Sequence, residues 1–239
     1  MGELLLYGEI ADTTWWGDEV TPKQFWEDLQ GLGDISELRI YINSPGGDVF
    51  AGQAIHSMLR RHSATKLVYV DGLAASAASL VAMAGDRVIM PKNAMMMIHN
   101  PWTIAWGDAN EFRKIADELD KIRESLVVVY QDKSGLERDR IIEMLDAETW
   151  MTAEEAVELG FADEIEEAKQ VAASVAGPDR LIINGVTVDL SQYRHPPKII
   201  PVATISAPDT RLESGENEKK LKLMELELEL LTGNFLKNI

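Results

Sequence analysis

The segment from residue 38 to residue 84 reads LRIYINSPGGDVFAGQAIHSMLRRHSATKLVYVDGLAASAASLVAMA, and its alternating patterns decide the fold. Runs of β-branched and aromatic residues, typical of buried strands, alternate with stretches of helical spacing. Two strands and two helices are expected, in the order strand 38–43, helix Val49–Arg61, strand 66–72 and helix Ala74–Ala84. This order is typical of βαβ units and predicts an α/β protein with a largely parallel sheet.

Strands and helices continue to alternate as far as about residue 165. Gly135 follows a long helical pattern as a stop signal, and Thr152 with Glu155 forms a capping box before a helix that ends at Gly160. The expected elements are strands at 87–91 and 94–100 and helices at 108–135, 137–145 and 152–160.

Composition excludes several function classes. The chain has 239 residues, a formal net charge of −17 and no cysteine. The missing cysteines exclude disulfides, a thiol nucleophile and thiolate metal sites. The acidic balance disfavours nucleic-acid binding and anionic membrane surfaces. The N-terminus lacks the features of a signal peptide, and the longest weakly polar stretch, 72–85, is too short to span a bilayer. A cytoplasmic location is therefore expected.

Ser76, in Gly72-Leu-Ala-Ala-Ser-Ala-Ala-Ser79, is the candidate nucleophile. A serine among small residues after a strand can simply cap the next helix. It can also be a nucleophile at a strand-to-helix turn, where the next amide, on Ala77, faces a developing oxyanion. The octapeptide alone leaves both interpretations open.

His99 is the best candidate for the base that such a serine requires. The chain has four histidines. His56 and His62 are expected on the exposed side of a helix, and His195 lies in a Pro-rich segment. Only His99 follows a strand that is expected to be buried.

Two further elements complete the candidate site. Ser44-Pro-Gly-Gly47 is a turn signal, but beside Ser76 its Gly47 amide would be a second donor to the oxyanion. Asp146 and Glu148 precede the capped helix, and either carboxylate is suited to orient the imidazole. Acids are also favoured before a helix N-terminus for electrostatic reasons, so both can be plain surface charges.

Four motifs occur together and in order: INSPGG (42–47), GLAASAA (72–78), MIHNP (97–101) and TWMTAEEAVELGFAD (149–163). This set resembles the family of Clp protease proteolytic subunits, over about residues 4–165. The resemblance implies the ClpP/crotonase-like α/β fold, built from repeated ββα units with a protruding long handle helix. It also implies a serine endopeptidase that forms a homo-oligomeric ring, a heptamer or a double ring, and acts on proteins or peptides without a metal or organic cofactor.

The resemblance also assigns roles by position. Ser76 matches the family nucleophile, His99 the base, and Gly47 and Ala77 the oxyanion amides. Alignment through Trp150-Met-Thr-Ala places the acid at Glu148, where the family usually has Asp, with Asp146 as the alternative.

Three departures from the family pattern are visible. A Trp-rich insertion occupies residues 13–22. The glycine-rich strand that holds substrate is replaced by a bulkier strand at 102–107, with Trp102, Thr103 and Ile104 as candidate substrate-binding residues. Ala147 stands where the family has an arginine that pairs two rings, which puts the double ring in doubt.

This pattern most resembles the phage and prophage branch, whose members cut scaffold or capsid precursors during head maturation without a dedicated ATPase. Scaffold, portal or capsid proteins are therefore expected as partners. Two alternatives remain: a degradative peptidase that works with a ring ATPase, and a catalytically silent crotonase-fold ring.

The chain beyond the peptidase pattern forms a small C-terminal extension. Residues 181–190 alternate around Asn184-Gly185, which predicts a hairpin with a type I′ turn, and a helix is expected at 216–231. The expected organisation is a peptidase domain at 1–170, a hairpin and Pro-rich linker at 171–215, and a helical tail at 216–239.

Overall fold

A computed structural model of the chain describes residues 1–14, 17–169, 173–177 and 179–197. The helix expected at 216–231 lies outside the described residues, as do Trp15 and Trp16 of the insertion. The three-part domain organisation therefore stays a prediction.

The central element of the fold is a seven-stranded sheet. Together with the helices described below, its largely parallel pairing confirms the predicted α/β class. Its main path runs β1-β2-β3-β4-β7, and every neighbouring pair on this path is parallel. Strand β5 pairs in parallel with the end of β3 and antiparallel with β6. The strands are β1 Gly2–Tyr7, β2 Glu37–Ser44, β3 Thr65–Ala75, β4 Arg87–Pro91, β5 Met95–Ile98, β6 Thr149–Thr152 and β7 Glu164–Glu166.

Six α-helices lie within the described residues. They are α1 Pro22–Gly31, α2 Val49–Arg61, α3 Ala77–Ala82, α4 Ala109–Ser134, α5 Arg138–Asp146 and α6 Ala153–Glu158. The long helix α4 starts at a capping box formed by Asp108 and Glu111 and stops at left-handed Gly135. The capping box predicted for Thr152 and Glu155 is confirmed at the start of α6.

The segment before Ser76 differs from the prediction. A helix was expected from Ala74, but β3 continues to Ala75 and α3 begins only at Ala77. The reason is strand pairing: Leu73, Ala74 and Ala75 pair with Met95, Met96 and Met97 of β5 and are buried there. Tertiary pairing thus overrides the helix propensity of alanine.

The bulkier strand expected at 102–107 is absent, since these described residues have no regular secondary structure. Pro101, which precedes them, has no backbone N–H to donate to a ladder. The side chains of Trp102, Ile104 and Trp106 are 55%, 70% and 87% exposed.

The C-terminal hairpin is confirmed. Strands β9 Arg180–Ile183 and β10 Val186–Asp189 are antiparallel, and Asn184 and Gly185 have φ angles of 48° and 83°, as a type I′ turn requires. The pattern did not predict β8 Ala173–Gly177, which pairs with β9. A 3-10 turn, Leu190–Gln192, follows the hairpin.

Two clusters of buried hydrophobic residues stabilise the fold. The larger one lies between the seven-stranded sheet and its helices. The smaller one joins the C-terminal hairpin to β3 and β5 and contains Leu73, Ala75, Met95, Met97, Ile183, Val188 and Tyr193. No helix in the described part of the chain is long and apolar enough to cross a membrane.

Candidate active site

Ser76 lies at a tight turn between β3 and α3. Its φ of 52° and ψ of −124° are unusual for a residue that is not glycine, and such a conformation costs about 1–3 kcal/mol. Its backbone amide donates to the Met97 carbonyl at 2.9 Å. The hydroxyl makes no helix-capping hydrogen bond. The geometry thus favours the interpretation of Ser76 as a nucleophile at a strand-to-helix turn over its interpretation as a helix cap.

His99 lies beside Ser76, as expected from the sequence. Its Nε2 atom is 2.8 Å from the Ser76 hydroxyl, which is a hydrogen-bond distance. The parallel pairing of Ala75 with Met97 brings the ends of β3 and β5 together, and each residue follows one of these strands. A proton can therefore pass directly from the hydroxyl to the imidazole.

His56 and His62, in α2 and at its C-terminal end, have other surroundings. His56 is half-buried, not exposed as expected, and lines a separate cavity of about 90 Å³ with Arg60 and Asp132. Burial lowers the pKa of His56 to about 4, and the Arg60 cation adds to this effect. His62 is also partly buried and accepts a hydrogen bond from the Ala64 amide at its Nδ1 atom.

The two candidate acids lie in different environments. Glu148 is only 6% exposed, and its Oε2 atom is 4.0 Å from His99 Nδ1. Asp146 is exposed, accepts a hydrogen bond from Asn100 and lies 3.8 Å from Arg123. Of the two, the geometry favours Glu148 as the group that faces the imidazole.

Burial and two charges act on the His99 imidazole. Desolvation lowers the pKa of His99 below its ordinary value, the Glu148 carboxylate opposes this shift, and the Arg194 cation adds to it. A lowered pKa keeps the imidazole neutral at pH 7, which is the form that can accept a proton.

The Ser44-Pro-Gly-Gly47 turn lies against Ser76. A side chain at Gly46 would place its Cβ 2.6 Å from the Cβ of Ser76, so this close contact requires glycine. Within the described residues, neither the Gly47 amide nor the Ala77 amide donates a hydrogen bond to another group. Gly47, Ala77 and Ser76 also line the same cleft. This arrangement leaves both amides available to an oxyanion.

The cleft beside Ser76 and His99 has a volume of about 660 Å³. Trp102, Thr103 and Ile104, the predicted substrate-binding residues, all line it. A second cavity of about 260 Å³ adjoins it and shares His99 and Trp102 with it. Ser76 lines the larger cavity, so a molecule bound there lies beside its hydroxyl.

Several residues of the C-terminal extension lie at this site, although no sequence motif indicates this position. Gln192 and Tyr193 line the cleft. The backbone amides of Arg194 and His195 donate to the two carboxylate oxygens of Glu148, at 2.8 Å and 2.7 Å. The alternating pattern at 181–190 predicted the hairpin, but no local pattern indicates which surface a hairpin packs against.

Comparisons with known proteins agree with this geometry. Residues 19–169 match the family model described as Clp protease. An ATP-dependent Clp protease proteolytic subunit from Bacteroides fragilis strain ATCC 25285 is 37% identical over 140 residues, which are 57% of this chain and 67% of that relative. Proteins of the same description from Bacteroides fragilis strain YCH46 and Bacteroides thetaiotaomicron are 37% and 36% identical, and the match covers 63% of each.

The chain thus spans about two-thirds of the length of these curated relatives, and in two of the three slightly less. The matched family region contains every residue that the four sequence motifs contributed to the site. It ends before the C-terminal extension, in which the Arg194 and His195 amides contact Glu148. On the strength of the family match, which covers more than half of its residues, the chain belongs to the Clp protease family.

Proposed function

We propose that this chain is a serine endopeptidase with Ser76 as nucleophile, His99 as general base and Glu148 as the acid that orients the base. The observation that carries the proposal is the 2.8 Å contact between the Ser76 hydroxyl and His99 Nε2. A serine hydroxyl is a weak nucleophile by itself, and an adjacent imidazole makes it an effective one.

In the first step, the Ser76 Oγ atom attacks the carbonyl carbon of the scissile peptide bond while its proton passes to His99 Nε2. The carbonyl oxygen becomes an oxyanion, which accepts hydrogen bonds from the Gly47 and Ala77 amides. Support for this role is that both residues line the cleft beside Ser76. The carboxylate of Glu148 stabilises the imidazolium that forms. His99 then protonates the leaving amine, and an acyl-enzyme remains.

In the second step, water attacks the acyl-enzyme. His99 takes a proton from this water, and the Ser76 oxygen leaves as the hydroxyl. The N-terminal part of the substrate departs as a free carboxylate, so the enzyme returns to its starting state without a cofactor.

Substitution of the nucleophile tests this mechanism. Ser76→Ala removes the attacking oxygen and leaves the fold intact, so peptide hydrolysis should fall to background. Ser57→Ala is the matched control, because Ser57 is an exposed serine of α2 away from the cleft lining. If Ser76→Ala hydrolyses peptides as fast as Ser57→Ala, the proposal is wrong.

We further propose that the natural substrates are phage scaffold or capsid precursors and that cleavage does not require ATP. The support is the resemblance to the phage branch, carried by the insertion at 13–22 and by Ala147 in place of the ring-pairing arginine. Co-expression with candidate precursors, followed by mass spectrometry of the products, tests this proposal. Deletion of residues 205–239 should spare cleavage of small peptides and abolish cleavage of the precursor.

A degradative peptidase that works with a ring ATPase is the second candidate. It is favoured by the names of the relatives above, which are ATP-dependent Clp protease proteolytic subunits. The two candidates differ in one measurement. Stimulation of protein degradation by a ring ATPase and ATP would support the second, and precursor cleavage without ATP would support the first.

A further inference from the structure

The Glu148 carboxylate is held by the main chain of the C-terminal extension. The Arg194 amide donates to Oε2 at 2.8 Å, and the His195 amide donates to Oε1 at 2.7 Å. The remaining described donor is the Trp150 indole, at a longer 3.4 Å from Oε1. Arg194 and His195 lie beyond the matched family region, which ends at residue 169.

We propose that residues 190–195 belong to the active site. In this segment, the Arg194 and His195 amides hold the Glu148 carboxylate in position toward His99. This inference rests on the proposed function where it is tested by the kcat of peptide hydrolysis. The amides act through Glu148 and do not touch the reacting atoms, so Arg194 and His195 are positioning residues.

A glutamate at this place needs such support. Its side chain has several free torsions, and ordering them costs conformational entropy. Glu148 also adopts a φ of 51°, which is unfavourable for a residue with a side chain. A buried carboxylate is costly unless its oxygens accept hydrogen bonds. Two amide donors, one to each oxygen, meet these requirements and leave lone pairs for His99.

The extension is itself anchored firmly to the peptidase core. Asn43, which is fully buried in β2, donates from its side chain to the Ile183 carbonyl at 2.7 Å. Gly72 makes room for the Ile183 side chain, since a Cβ at this glycine would lie 2.7 Å from it. The main chain of the extension is thus fixed relative to β2 and β3.

Tyr193 joins the extension to two other parts of the site. Its hydroxyl donates to the Pro45 carbonyl at 2.8 Å, in the turn that contains Gly47. Its ring packs edge-on against Trp150, with centroids 5.1 Å apart, and lies 6.2 Å from the His99 ring. The residue just before Arg194 therefore contacts the Ser44–Gly47 turn, Trp150 and the His99 ring.

The test compares two variants that differ in one N–H group and in the proline ring. Arg194→Pro lacks the amide hydrogen that Oε2 accepts, and Arg194→Ala keeps it. Both variants lack the guanidinium, so its charge effect on His99 cancels in the comparison. Tyr193 already has the extended conformation that a residue before proline adopts, with φ −102° and ψ 149°.

We expect kcat of Arg194→Pro to be about tenfold below that of Arg194→Ala, with KM changed by less than about twofold. The reason is that a poorly held acid weakens stabilisation of the imidazolium and not substrate binding. Equal kcat values in the two variants, or a higher kcat in Arg194→Pro, would overturn the proposal. A higher value would mean that the amide restrains Glu148 from reaching His99.

A readout that does not depend on peptidase activity separates this inference from the proposed function. The pKa of the His99 imidazole, measured by NMR titration, should be lower in Arg194→Pro than in Arg194→Ala, because the Glu148 carboxylate that raises it is less well held. Equal titration curves overturn the positioning role even in a protein without activity. Conversely, a shifted curve without Ser76-dependent hydrolysis would contradict the proposed function alone.

An amide-to-ester replacement between Tyr193 and Arg194 provides the second variant. It exchanges the N–H for an oxygen and retains both side chains, so the test does not depend on how the main chain tolerates proline. Relative to the unmodified full-length protein, the ester should show the same fall in kcat and the same lower pKa of His99. An ester variant with unchanged values of both would contradict the proposal.

Discussion

Ala75 of β3 lies opposite Met97 of β5 in a parallel register, and this pairing sets the distance between the nucleophile and the base. The residue after Ala75 is Ser76, and its amide donates to the Met97 carbonyl at 2.9 Å. His99 follows two residues after Met97, at the end of the same strand pair. The sheet therefore brings together two side chains that are 23 residues apart in the chain.

The first prediction concerns the pH dependence of peptide hydrolysis. Burial lowers the pKa of His99, and only the neutral imidazole accepts the Ser76 proton. The acidic limb of a kcat/KM profile should therefore have its midpoint below about 6.5, the ordinary value for histidine. Glu148→Gln removes the charge that raises this pKa, so the midpoint should move to still lower pH. A midpoint above 6.5 in the unmodified protein would contradict this account of His99.

The second prediction distinguishes the two candidate acids. Glu148→Gln should lower kcat by roughly 10²–10⁴-fold, because the neutral amide no longer stabilises the imidazolium. Asp146→Asn is the matched variant and should retain kcat within about threefold, since Asp146 is exposed and contacts Asn100 and Arg123 instead. Steady-state kinetics on a fluorogenic peptide measures both effects. The reverse order of the two effects would assign the acid to Asp146.

The third prediction tests the close contact between the glycine turn and the nucleophile. A methyl group at Gly46 would lie 2.6 Å from the Ser76 Cβ and from the Ala75 carbonyl oxygen, and the φ of 97° is itself unfavourable for alanine. Gly46→Ala should therefore displace the Ser76 turn, abolish most activity and destabilise the fold by about 2 kcal/mol or more.

Gly31→Ala is the control for this variant, because a Cβ at Gly31 meets nothing within 4 Å. As a helical glycine of α1, it should be neutral or stabilising by up to about 1 kcal/mol. Thermal unfolding and peptide hydrolysis measure the pair. A fully active Gly46→Ala would show that the turn does not constrain Ser76.

The fourth prediction concerns substrate charge. Glu9, Asp48 and Glu118 line the cleft, and its lining contains no lysine or arginine among the described residues. Peptides with basic side chains should therefore have a lower KM than neutral ones, and added salt should reduce this preference. Glu118→Gln should weaken the preference for basic peptides. Glu27→Gln should leave this preference unchanged, because Glu27 is an exposed residue of α1 outside the cleft lining. A preference indifferent to ionic strength would contradict the electrostatic explanation.

Much of the central fold could be predicted from the sequence because its signals are local. The run at 38–43, the capping box at Thr152 and the Asn184-Gly185 turn all appear in the structure as expected. His99 could be paired with Ser76 by elimination, because it alone of the four histidines follows a strand that is expected to be buried.

Other features depend on contacts that no local pattern records. The exact end of β3 is decided by pairing with β5, which overrides the helix propensity of Ala74 and Ala75. The two closest donors to Glu148 are the backbone amides of Arg194 and His195, and any residue except proline carries such an amide. The family resemblance was therefore needed to prefer Glu148 over Asp146 from the sequence. In the structure, the 4.0 Å distance between Glu148 Oε2 and His99 Nδ1 favours the same choice.

The central claim is that Ser76 is the activated nucleophile, and covalent labelling tests it most directly. A fluorophosphonate probe should add one label per chain to the unmodified protein, and peptide mapping should place that label on Ser76. Labelling should be absent in Ser76→Ala and much slower in His99→Ala, because the base no longer activates the hydroxyl. A label on another residue, or equal labelling of Ser76→Ala and the unmodified protein, would contradict the account.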